Sequence, residues 1–115
     1  MSTSVRQLVR EIQEEVSNGN LMPARASELL TRLSALLGNI NAEILDRDVE
    51  YNQILLFWLE KEEKAVRAKI RAECTPEYRM KIEARNTREL AAALISSLKY
   101  LLRNQEEEYM GGRHQ

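Results

Sequence analysis

Apolar residues recur along this chain at the three-and-four spacing of helical stripes, and turn residues separate three such stripes. Val5, Leu8, Val9, Ile12 and Val16 share one face of a short first helix, over about residues 3–17. Ser2, Thr3 or Ser4 supplies its cap. Ser17-Asn18-Gly19-Asn20 ends it with residue types that tolerate positive φ. Pro23 then suits the first turn of a second helix. Ala26, Leu30, Leu33, Leu37, Ile40, Ile44, Tyr51, Ile54, Trp58 and Ala65 keep one phase along it, with Arg47 and Lys61 as polar exceptions. Leu29, Leu36, Leu45, Leu55, Leu59, Val66 and Ile70 widen that stripe. No proline falls between Pro23 and Pro76, so the pattern predicts one helix over 23–74, with Gly38-Asn39 as the one candidate kink. Thr75-Pro76-Glu77 combines a hydroxyl cap, a first-turn proline and an acid at the positive helix end. A third helix over 76–110 follows, with Met80, Ala84, Thr87, Ala91, Leu94, Leu98 and Leu101 on its seam. Gly111-Gly112 should stop it, leaving 111–115 as a tail.

The fold class read from this pattern is all-α: a short N-terminal helix plus a long, coiled-coil-like antiparallel helical hairpin, in one domain over 1–115. At 1.5 Å per residue the second helix runs roughly 75 Å, close to the first and third laid end to end. A turn centred on Thr75 sets Trp58 opposite Ala92, so the bulky run Ile54–Leu59 meets the small run Ala91-Ala92-Ala93. Residues 54–59 are apolar all round, and Leu90–Ile95 shows the same excess, more than two layers of helix cover. The expectation is therefore a dimer or higher symmetric oligomer, with Leu55, Phe57, Trp58, Ala92 and Ile95 as interface candidates. The same belt around Trp58 also suits docking of a different protein.

Composition narrows the class further. Four glycines and two prolines in 115 residues are too few for the many turns of a sandwich or barrel. Charged residues at 30% beside 43% apolar ones match amphipathic helices and not a disordered chain. The longest apolar run falls well short of the ~20 residues of a membrane span. The first residues carry no signal-peptide pattern and Cys74 is a lone cysteine, so the expected setting is cytoplasmic and reducing, with no membrane partner.

Candidate chemistry is sparse. His114 follows two glycines with no orienting partner, and Cys74 lacks a second cysteine or a placed histidine. No phosphate loop, HExxH or Cys/His metal spacing occurs, so no cofactor and no metal are expected. Glu62-Glu63 and Glu106-Glu107-Glu108 are carboxylates of the kind that line a solvated face. The reading is non-enzymatic.

Charge placement says more. The totals nearly cancel at −1, yet residues 61–88 hold nine bases and five acids, so this segment is +4 and the remainder −5. One reading is an ordinary helical surface with ion pairs such as Glu60–Lys64, Glu63–Arg67 and Glu77–Lys81. The other is a seat for phosphates of nucleic acid or a nucleotide. Arg47, Asp48 and Asn52 interrupt one apolar stripe, and Arg85-Asn86-Thr87-Arg88 another. Such positions act as register devices or line a ligand pocket. The candidate anion-binding residues are Arg85 and Arg88, then Arg47, Asn52, Lys81 and Arg79.

The run Ala84-Arg85-Asn86-Thr87-Arg88-Glu89-Leu90, the stretch Leu94–Arg103, Glu106-Glu107-Glu108-Tyr109, and Asn41-Ala42-Glu43 through Tyr51 resemble small helical accessory proteins of tailed phages. The likeness covers roughly residues 35–110. It implies a phage-encoded protein of the host cytoplasm, from early cassettes with recombination or single-strand-binding genes, or from counter-defence. The functional expectation is a homo-oligomer binding nucleic acid or sequestering a host-defence signalling nucleotide. The alternative is an adaptor or inhibitor that docks on a host protein through the apolar belt.

Overall fold

The computed structural model describes residues 4–113, with side chains as far as Glu108. It is all-α, as the pattern predicts: α1 (Val5–Ser17), α2 (Pro23–Lys61), α3 (Ala65–Glu73) and α4 (Pro76–Arg113), with no strand among the described residues. His114 and Gln115 of the expected tail lie outside the described residues. So do Ser2 and Thr3, two of the three candidate caps. Ser4 is the cap found, its Oγ accepting from the Gln7 N–H at 3.1 Å.

The contacts divide the chain into two compact units. The first comprises Met1–Asn39 with Glu89–Gln115, the second Ile40–Arg88. In the first unit α1, the start of α2 and the end of α4 bury Val9, Ile12, Ala26, Leu29, Leu33, Ala91, Leu94 and Leu98. The α1–α2 turn needs left-handed backbone at Gly19 (φ 76°) and Asn20 (φ 58°), the residue types that adopt it most readily. Arg25 clamps that turn by reaching back to both oxygens of Glu15, at 2.5 and 2.8 Å. The Gln105 amide donates to the Leu21 carbonyl at 3.2 Å.

In the second unit the end of α2, all of α3 and the start of α4 bury Ile40, Ile44, Tyr51, Ala68, Ala72, Ala84 and Thr87. Here the structure corrects the single helix over 23–74. Gly38 stays helical in an exposed position where an added Cβ would meet nothing within 4 Å. The break falls instead at Glu62–Lys64, with Lys64 extended (φ −109°, ψ 128°). No glycine or proline causes it. What the break gains is tertiary: Ala68 and Ala72 become fully buried, and Arg71 reaches back to the Glu62 carboxylate at 3.0 Å. The Arg71 guanidinium also lies 5.2 Å from the centre of the Trp58 ring.

This break also shifts the register. A turn centred on Thr75 would set Asp48 opposite Leu102, but Asp48 pairs with Arg85, and Tyr51 stacks on Tyr78. The Trp58-to-Ala92 register therefore does not describe this unit, because α3 takes up chain that the long-hairpin reading assigned to α2. Thr75 does start α4. Its Oγ1 accepts from the Tyr78 N–H at 3.4 Å and donates to the Ala72 carbonyl at 2.6 Å, which joins the end of α3 to the new helix. At the far end α4 passes through Gly111-Gly112 to Arg113 rather than stopping before them.

Candidate functional site

The candidate residues from 47 to 88 all belong to the second unit, and the structure separates those with internal partners from those without. Arg85 donates to Asp48 at 2.8 Å, across 37 residues of sequence. Arg47 bridges its own helix, to Glu50 at 3.0 Å and Glu43 at 3.6 Å. Those two carboxylates raise the Arg47 pKa, with the hydrogen bond to Glu50 contributing most. The Lys81 ammonium sits 4.3 Å from the centre of the Tyr51 ring, a cation–π contact within one unit. Arg79, Arg88 and Asn52 are exposed, and neither arginine has an ion pair among the described residues. Arg79 lines a shallow cleft beside Cys74, Thr75, Tyr78 and Ile82. Thus three of the six anion-binding candidates are engaged by the protein's own groups.

Asp48 makes one of these pairings structural. Its Oδ2 accepts from Arg85, while its Oδ1 is buried with no hydrogen-bond partner. Removing the guanidinium would leave a half-buried carboxylate unsatisfied, which costs more than losing an exposed pair. Arg85→Ala should therefore destabilise the fold by about 1 kcal/mol, whereas Arg88→Ala should stay within about 0.5 kcal/mol. Urea unfolding followed by circular dichroism compares the two directly.

Tyr51 anchors the same face. It is 5% exposed, its ring lies 5.4 Å from that of Tyr78, and burial raises its pKa above the ordinary 10.0, with Glu73 and Tyr78 adding smaller pushes. The folded state thus holds the phenol proton more tightly than the unfolded chain does. Its contribution is complete below pH 10 and is lost as pH rises through the folded pKa. An absorbance titration of the tyrosinate band should contain a component above 10 that disappears in Tyr51→Phe, and stability should fall over that range.

The interface candidates are spread differently. Phe57 is 46% exposed, with the Lys61 ammonium 4.5 Å from its ring centre and the Trp58 ring edge-on at 5.2 Å. Leu55 and Trp58 are half-buried. Ala92 is exposed and Ile95 half-buried, both in the first unit. Sequence reasoning missed most of what is left uncovered. Among the described residues eleven large hydrophobic side chains are exposed, and nine of them lie in the second unit: Leu45, Val49, Leu56, Phe57, Leu59, Val66, Ile70, Met80 and Ile82. Leu56, Phe57 and Leu59 fall in the run that is apolar all round, so the sequence does mark them; Leu45, Val66 and Ile70 lie on the widened stripe and Met80 on the α4 seam, where periodicity alone assigns them to a core.

Among the described residues no cluster of three His, Cys, Asp or Glu is arranged to hold a metal ion, and Cys74 is a free, exposed thiol. No described helix is long and apolar enough to cross a membrane. Comparison with protein-family models, with curated proteins and with solved structures returned no match.

Proposed function

We propose that this protein is a non-enzymatic helical interaction module that works by docking the apolar exterior of its 40–88 unit onto another polypeptide. The observation that carries this reading is the concentration of exposed large hydrophobics there, nine of the eleven found among the described residues. Soluble monomers rarely leave contiguous apolar patches beyond a few hundred Å² open to water. Val66 and Ile70, one turn apart on α3 and 70% and 56% exposed, are the clearest probes because neither supports the unit's interior. An accessory protein of the phage type, acting by engaging another protein, fits this surface.

A photo-crosslinking residue at position 66 in expressing cells tests it, with the exposed Glu28 position as control. Adducts to a defined polypeptide from position 66, absent from position 28, are expected. Equal labelling from both positions, or none, would overturn the reading. A second reading, capture of a phosphate-bearing ligand, is favoured by Arg79 and Arg88 of the +4 segment, both exposed and without ion pairs among the described residues. Under it, Arg79→Ala with Arg88→Ala weakens binding of an oligonucleotide, and added salt does the same through counterion release.

A further inference from the structure

On α2 of the second unit, Ala42, Leu45, Val49, Asn52, Leu56 and Leu59 are all exposed. Their spacing alternates strictly between three and four residues. The buried residues of the same segment, Ile40, Ile44 and Tyr51, form a separate stripe, so the exposed one is surplus to this unit's interior. A 3.5-residue apolar repeat with a single polar residue is the pattern of a coiled-coil seam. We propose that this stripe is the seam of a homodimer in which α2 of two copies packs antiparallel about a two-fold axis between Val49 and Asn52. The inference rests on the docking reading above and names its occupant as a second copy of this chain.

Orientation follows from size. Reversal about that axis sets Ala42 against Leu59, Leu45 against Leu56 and Val49 against Asn52, so the smallest residue faces a large one. The two asparagines then occupy neighbouring layers, about 4.5 Å apart along the axis, where amide can meet amide. A parallel arrangement would put Ala42 against itself and open a gap. The area is sufficient. Leu45, Val49, Leu56 and Leu59, 68%, 56%, 60% and 41% exposed, supply roughly 400 Å² per copy. Covered completely, and with Ala42 and Asn52 included, the two stripes together come to about 1,000 Å², the size at which a specific interface begins.

Sedimentation equilibrium of the full chain should give twice the 13.3 kDa chain mass, and Leu56→Glu should give that mass once with helix content unchanged. Leu45→Cys and Leu56→Cys, each made alone in a Cys74→Ser background and then mixed, should form a mixed disulfide that neither forms with itself. A monomer at every concentration, or self-linked Leu45→Cys, overturns the proposal. A monomer that still crosslinks to a different polypeptide through position 66 ends this inference alone. A monomer without such adducts ends the docking reading as well.

Discussion

Leu98→Ala should lower stability by about 3 kcal/mol, a thermal shift on the order of 12–20 °C for a chain of this size. Leu98 is fully buried in the first unit, which also holds Val9, Ile12, Leu29, Leu33 and Leu94. Truncation removes three carbons from a filled interior and leaves a void that these rigid helices close only in part. The adjacent residue provides the control. Lys99 is exposed, and Lys99→Ala should move stability by no more than about 0.5 kcal/mol. Thermal unfolding followed by circular dichroism measures both. Similar losses at 98 and 99 would mean that the first unit lacks the packed interior described here.

The parts of the fold legible in the sequence are those set by neighbours along the chain. Ser4 at the start of α1, the left-handed Gly19-Asn20 turn and the Thr75-Pro76 start of α4 each follow from local backbone preference, and each is visible in four or five residues. The Glu62–Lys64 break was not legible, because nothing local forces it. It is held by contacts of Arg71 with Glu62 and Trp58 and by burial of Ala68 and Ala72, partners brought together only by folding. A faint signal existed: Lys61 interrupts the seam, a run of charges follows it, and the next seam residues, Ala65, Ala68 and Ala72, are all small. The candidate site divides along the same line. The sequence displays the excess of bases over 61–88, but the pairing of Arg85 with Asp48 spans 37 residues and becomes visible only in three dimensions. Likewise Leu45 and Leu59 were merged with the core stripe, since periodicity cannot tell one broad face from two seams on opposite sides of a helix. Burial separates them.

Ala72→Leu should undock α3, with a loss of about 1–3 kcal/mol from overpacking. Ala72 is fully buried on α3, and its carbonyl accepts the Thr75 hydroxyl hydrogen bond at 2.6 Å, so it lies where the helix meets its neighbours and the turn that follows. Three added carbons at such a position must displace either the helix or what it rests on, and α3 is the weaker element. It has nine residues, too few to hold helical structure in water without tertiary support, and no side-chain cap at Lys64. Trp58 is the only tryptophan and lies against Arg71, so its fluorescence reports the event directly. In Ala72→Leu its emission should shift to the red as Arg71 leaves, and amide exchange across 65–73 should quicken while α1 stays protected. Ala72→Gly separates packing from propensity: it should cost about 1 kcal/mol without moving the tryptophan emission. If Ala72→Leu were as stable as the wild type with unchanged emission, α3 would not be seated on its alanine face, and the uninterrupted helix over 23–74 would be the better description of this segment.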